Sequence, residues 1–292
     1  MNKLLKGAYD LHIHSAPDLL PRKMDDLEMA QRVIAAGMKG FAMKSHYFCT
    51  AERAAIVRKL YPACNAIGTI SLNSSVGGIN PFAVDMAGRA GAKLVWFPTV
   101  DSANEAVHLA SAPAGKLPFW AKIKLDMKAE GIEAPLLSAV KDGKLTDNAV
   151  AVLDVIAKYN MILATAHVSH EETFALVKAA KERKVERVII THVDFPSTFY
   201  EIEDQKKLVA MGAFVEHCYT TPATEKTTWE IAIAQIKAIG PSCVIIGTDL
   251  GQPAAIYPDE GMAIYAEKLL AAGFSEKNVV TMIATNSASL VE

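Results

Sequence analysis

The sequence predicts a (β/α)8 TIM barrel with an insertion after its fourth strand. Three observations carry this reading. Eight short apolar runs alternate with helix-period runs from one end of the chain to the other. These runs are rich in Val, Ile and Ala and apolar on both faces, as parallel strands covered by helices are. Histidine or aspartate stands at the C-terminal end of four of them, the end at which barrels keep their chemistry. An open doubly wound sheet is the runner-up. It would not naturally bring residues of the first, fifth, sixth and eighth strands to one place. A length of 292 residues suits a single barrel domain, 1–292.

The expected strands are 8–14, 40–45, 66–72, 93–98, 161–167, 187–192, 213–218 and 243–248. Amphipathic helices are expected at 25–36, 148–159, 171–183 and 228–239. Gly37, Gly91, Gly212 and Gly240 follow helical runs, where a left-handed residue stops a helix. The loop 73–81 ends in Asn80 as a cap and Pro81 as a first helical residue. Its backbone N–H groups could hold an oxyanion, or it is a plain turn. Segment 101–147 is too long for one crossover. Its Pro113, Pro118, Pro135 and the run Lys141-Asp142-Gly143-Lys144-Leu145 suggest a loop, an irregular piece and a β-turn. Placed after the fourth strand, it would be a lid over the mouth or a decorative excursion.

Composition narrows the function classes. Apolar residues make up 51% and charged residues 21%, which describes a globular chain with a large core. The formal net charge of −2 gives no bulk basic field, so nucleic acid and anionic membrane are not expected partners. Cys49, Cys64, Cys218 and Cys243 form no CxxC pair, which argues against a thiolate zinc site or redox motif. The first residues lack the apolar core of a signal peptide. No apolar run reaches the roughly 18 residues of a membrane span. The expectation is a cytoplasmic protein with free thiols, acting on a small molecule, with homo-oligomerisation left open.

The run Asp10-Leu11-His12-Ile13-His14 bears most on function. Alternate side chains of a strand share a face, so His12 and His14 project together, about 7 Å apart along the chain. Two imidazoles so placed can grip one divalent ion. His167, His192 and Asp249 follow the fifth, sixth and eighth apolar runs. A single histidine at a strand end is more commonly a hydrogen-bonded structural residue than a ligand. Five ligand-type residues at the ends of four strands instead define one site in a barrel.

This ordered set resembles the amidohydrolase superfamily: His12 and His14 on the first strand, His167 on the fifth, His192 on the sixth, Asp249 on the eighth. Asn286-Ser287-Ala288-Ser289-Leu290 resembles the Asn-Pro-Ala-x-Leu motif that closes such barrels, with Ser287 replacing proline. The resemblance spans nearly the whole chain. It implies that His12, His14 and Asp249 hold one divalent metal, and that His167 and His192 hold a second or share the first. Zinc is the expected ion. The metal would lower the pKa of water, and Asp249 would orient that water, take its proton and pass it to the leaving group. Asp10 would support a ligand histidine from behind. The third and fourth strands offer neither the lysine nor the glutamate that bridges two metals in many relatives. One or two ions therefore both remain open.

Further residues are read as substrate-facing. Lys44 and His46 share a parity at the end of the second strand. Lys44 is either a clamp on a substrate anion or a salt bridge within an acidic site. Glu216 and His217 point opposite ways, so only one faces the site; His217 is taken as a substrate contact. Arg22, after the first strand, could bind an anion, and Asp194 could line the mouth. The function these residues imply is a metal-dependent hydrolase cleaving an amide, ester, lactone or similar bond in a small polar substrate. The alternatives are a PHP-type phosphoesterase, a metal-dependent decarboxylase and a non-catalytic metal- or ligand-binding barrel.

Overall fold

Asp25 accepts hydrogen bonds from the backbone N–H groups of Leu27 and Glu28, and Gly37 turns left-handed at φ 81°. The first helix, Asp26–Ala36, is thereby fixed at both ends. The same devices bound its neighbours. Thr146, Ser169 and Thr228 cap the helices Asp147–Lys158, His170–Glu182 and Trp229–Ile239, each within a residue or so of its expected start. Asn80 caps the helix Pro81–Arg89, with Pro81 at its first turn. The computed structural model describes residues 3–110 and 119–292.

Ten strands form. They are β1 Tyr9–Ile13, β2 Gly40–Met43, β3 Asn65–Ser71, β4 Leu94–Trp96, β5 Val140–Lys141, β6 Lys144–Leu145, β7 Ile162–Ala164, β8 Val188–Ile190, β9 Phe214–Cys218 and β10 Val244–Gly247. Eight of them make one parallel sheet in the order β1-β2-β3-β4-β7-β8-β9-β10. β10 returns to β1 through a parallel bridge between Ile13 and Leu250. Two backbone bonds reinforce this seam: Asp249 N–H to the His12 carbonyl and His14 N–H to the Leu250 carbonyl, both 2.8 Å. The expected (β/α)8 barrel is the fold found.

Asp10 staples the same seam. Its carboxylate accepts from the backbone N–H groups of His12 and Thr248, each at 3.1 Å, and from the Thr248 hydroxyl at 2.5 Å. Burial pushes its pKa up to about 7, against the pull of these donors. Asn286 does similar work beneath the barrel. Its amide donates to the carbonyls of Pro241 and Val244, tying the C-terminal helix to the start of β10. The core is filled by Leu11, Ile13, Phe41, Met43, Trp96 and Phe97 among others, all fully buried. Each large apolar side chain contributes about 1.5–3 kcal/mol of burial.

The segment after β4 departs from expectation. Where a loop and an irregular piece were expected, the chain forms the helices Ala103–Ala110 and Phe119–Ala129. Their strongest helix formers, Ala, Leu, Lys and Glu, outweigh the prolines, which fall between and after them. Pro113 and Pro118 lie outside the described residues. The expected turn is a two-residue hairpin in which Lys141 pairs with Lys144. Asp142 and Gly143 both take positive φ, 52° and 72°, as such a turn demands. Among the described residues no helix is long and apolar enough to cross a membrane.

Candidate metal centre

β7, β8 and β10 end earlier than the sequence suggests, and they end in strained backbone. Ala166 (φ 56°), His192 (φ 26°) and Asp249 (φ 54°) are all left-handed without being glycine. Such residues cost about 1–3 kcal/mol each and cluster at functional sites. Here each stands at or beside an expected ligand and re-aims the chain as it leaves the sheet. Gly251 permits the next step. Its φ is 139°, and a Cβ there would stand 1.8 Å from the His14 carbonyl oxygen. Only a glycine lets the chain after Asp249 run against β1.

Of the five expected ligands, His12, His14 and Asp249 bring ligand atoms within 4.8 Å of one another, and His167 and His192 form a second pair. His12 Nε2 and His14 Nε2 each lie 3.1 Å from Asp249 Oδ1. His167 Nε2 and His192 Nε2 are 3.2 Å apart, and the His12 and His192 rings are 5.9 Å apart between centroids. The far nitrogens are anchored. His12 Nδ1 lies 3.0 Å from Glu216 Oε2, His167 Nδ1 lies 2.9 Å from Glu105 Oε2, and His192 Nδ1 lies 3.0 Å from Thr198 Oγ1. The Thr198 hydroxyl donates onward to the His192 carbonyl, so it must accept from the ring. This network assigns the proton of each imidazole to Nδ1. The Nε2 atoms of His167 and His192 therefore face each other with like polarity, whereas His12 Nε2 lies between the Asp249 carboxylate, 3.1 Å away, and the Lys44 ammonium, 2.8 Å away. Second partners of this kind hold histidine ligands in metal sites.

The electrostatics divide the imidazoles: against burial and the Lys44 ammonium, the Glu216 and Asp249 carboxylates raise His12 above its usual value. Burial lowers His14 to about 3 and holds His46 and His192 well below 6.5, so these imidazoles stay neutral. Burial would raise Asp249, but its contacts with His12 and His14 hold it well below the ordinary carboxylate value. The Asp249 carboxylate also accepts from the Thr220 hydroxyl at 3.1 Å. Imidazole and carboxylate together are the donor set of a divalent transition metal such as zinc.

Lys44, His46 and Arg22 are brought to this site, and His217 is not. Lys44 is buried at 2% exposure, not at an open mouth. Its ammonium lies 2.8 Å from His12 Nε2 and 4.2 Å over the Trp96 ring. His46 stands beside His14, ring centroids 4.9 Å apart, and lies 2.9 Å from the Thr99 hydroxyl through Nδ1. Arg22 bonds Asp18 through Nε at 2.7 Å and approaches His14 Nδ1 at 3.3 Å. His217 corrects the expectation: it turns away from the barrel axis, fully buried, with Nδ1 3.4 Å from Asp194. Glu216, its neighbour of opposite parity, takes the inward position. Asp194 is thereby removed from the mouth too. Asp10 supports the site through backbone N–H groups, not through an imidazole as expected.

The cavity above these groups holds about 310 Å³, and Leu20, Trp120, Phe195, Lys226 and Gln252 also line it. None of them was singled out from the sequence, nor were Glu105 and Thr198. All lie in loops or in the insertion, where no alternation fixes which side chain points inward. An acidic residue in the first turn of the helix 103–110 was the one available signal for Glu105.

The barrel gathers the histidine cradle at the C-terminal ends of its strands. A model described as "Family of unknown function (DUF6282)" matches residues 7–216, and the chain belongs to that family. Among curated proteins nothing matches. Solved structures do. An amidohydrolase from Pseudomonas aeruginosa is 12% identical, with a TM-score of 0.65 over 99% of this chain and 96% of its own. A metallo peptidase from Rhodobacter sphaeroides, bound to a phosphinate mimic of a dipeptide, is 12% identical, with a TM-score of 0.60 over 98% and 99%. A lactonase from Listeria monocytogenes is 13% identical, with a TM-score of 0.56 over 99% and 96%.

Proposed function

We propose that this chain is a metal-dependent hydrolase that adds water to an amide, ester, lactone or similar bond of a small polar substrate. One observation carries the reading. His12 and His14 bring their Nε2 atoms to 3.1 Å from one oxygen of an ionised aspartate, while His167 and His192, each anchored through Nδ1, pair Nε2 to Nε2 at 3.2 Å. The barrel neighbours named amidohydrolase, metallo peptidase and lactonase support it.

His12, His14 and Asp249 would hold the ion, zinc by their chemistry. His167 and His192 would complete its sphere or hold a second, and counting ions in purified protein decides between the two. A bound divalent ion supplies Lewis acidity, bringing the pKa of a water near neutrality and polarising the scissile carbonyl. Asp249 accepts the proton of the attacking water at a carboxylate oxygen and returns it to the leaving group. Thr220 fixes the Asp249 carboxylate during this exchange. Glu216, Glu105 and Thr198 keep the imidazoles in the required tautomer. Lys44 and His46 face the reacting centre, and Arg22 flanks it. Trp120, brought by the segment 101–147, would cover the mouth as part of a lid.

The test joins metal analysis to a panel of ester, lactone, amide and phosphoester substrates. Asp249→Asn is expected to keep the fold by circular dichroism and to lose turnover by on the order of 10²-fold or more. Turnover near wild type in that variant would assign the proton to another group. Bound metal with no turnover across the panel would favour a binding barrel over an enzyme.

A further inference from the structure

Charge at the cavity wall is mostly spoken for. Arg22 is paired with Asp18, Lys44 lies among His12, Asp249 and Glu216, and Glu105 is taken by His167. Lys226 is different. It lines the same cavity, is exposed, and makes no ion pair among the described residues. Its ammonium stands 4.7 Å over the Phe195 ring. That ring lies 4.7 Å from the His192 ring and 5.8 Å from the His167 ring. An apolar wall thus leads from the imidazoles to one unneutralised cation.

The loop that carries Lys226 is held in place. Glu225, just before it, is left-handed at φ 58°, and Lys226 N–H bonds the Thr221 carbonyl at 3.0 Å. A non-glycine residue kept in that conformation indicates a backbone fixed by its surroundings. The turn begins at Thr220, whose hydroxyl holds Asp249. One loop after β9 therefore serves both ends of the cavity.

We infer that Lys226 binds the remote anionic group of the substrate, with Phe195 and Trp120 packing its apolar middle. The substrate class is then a small amphiphilic acid: a hydrolysable bond at the imidazole end, a carboxylate at the far end, an apolar spacer between. Two contacts of 4.7 Å each separate Lys226 from the His192 ring. Laid end to end, these contacts set an upper limit of about two to three residue lengths on the spacer, at roughly 3.3–3.6 Å each. The cavity volume of about 310 Å³ equals the share of about ten waters at roughly 30 Å³ apiece, room for about ten heavy atoms. A charge in an aqueous mouth adds modest affinity and mainly selects between acid and neutral ligands.

This inference names the substrate of the proposed hydrolase, yet its test needs no turnover. Calorimetric titration of the protein as purified would compare 3-phenylpropionate with its neutral isostere, 3-phenylpropanamide. Lys226→Met is expected to weaken the carboxylate probe by roughly 2- to 5-fold, the scale of a solvent-exposed ion pair. The amide probe should bind that variant as it binds the wild type. Lys226→Arg should restore the preference for the acid, and Phe195→Ala should weaken both probes. Equal loss for acid and amide in Lys226→Met, no loss for either, or failure of both probes to bind the wild type would each overturn the inference. A hydrolytic panel without turnover would instead count against the hydrolase reading alone.

Discussion

His14 is kept neutral by its surroundings. Burial first, and the Arg22 guanidinium second, lower its pKa to about 3, against the pull of Asp249. The unfolded chain takes up a proton near 6.5, whereas the folded one resists until about 3. The stability held in this neutral ring is therefore whole above pH 6.5 and drains away as pH falls toward 3. The slope approaches about 1.4 kcal/mol per pH unit for one such group. Thermal unfolding followed from pH 7 to pH 4 should show a Tm that falls below pH 6.5, and His14→Asn should flatten part of that slope. A Tm indifferent to pH over this range would contradict a buried neutral imidazole. At this scale much of the site was legible. Parity along β1 put His12 and His14 on one face, and position at strand ends brought in His167, His192 and Asp249. Parity also separated Glu216 from His217, but it names two faces without saying which is inside. Lys44 was misjudged in its burial, because neither His12 Nε2 nor the Trp96 ring can be seen from sequence as its neighbours.

Among the elements, the insertion after β4 matters most. Its first helix, Ala103–Ala110, carries Glu105 to His167, so a segment outside the barrel orients an imidazole inside it. Glu105→Gln should lower affinity for the divalent ion by about 10- to 100-fold while leaving the barrel folded, since Gln keeps the shape but not the charge. Competition against a chromophoric chelator measures this; unchanged affinity would reduce Glu105 to a packing role. The insertion was read from its prolines and its length, and both signals point to loop. Its helical content comes from local propensity between those prolines. Helix boundaries elsewhere were legible because Asp25, Asn80, Ser169 and Gly37 are caps with a direct chemical function. Strand ends were not, because β7 and β8 stop where the backbone turns left-handed to aim His167 and His192, and nothing in an apolar run announces that turn.

For the whole molecule, the proposed ligands come from the ends of β1, β7, β8 and β10, and on that proposal ion binding and barrel stability are linked. A divalent ion held only by the folded chain adds about 2.7 kcal/mol at a concentration 100-fold above its dissociation constant. Zinc titration should therefore raise Tm by several degrees, a chelator should reverse the rise, and Asp249→Asn should abolish most of it. A Tm blind to zinc, cobalt and manganese alike would separate the cradle from metal altogether. The same linkage bears on how the protein is made. His12 and His14 emerge from the ribosome first, Asp249 far later, and the bonds between Ile13, His14 and Leu250 draw them together across the seam. A nascent chain halted at residue 216 already carries every histidine of the cradle and lacks its carboxylate. Under the proposed metal reading, the complete donor set exists only once synthesis has passed the final strand, so a full clasp marks a finished barrel.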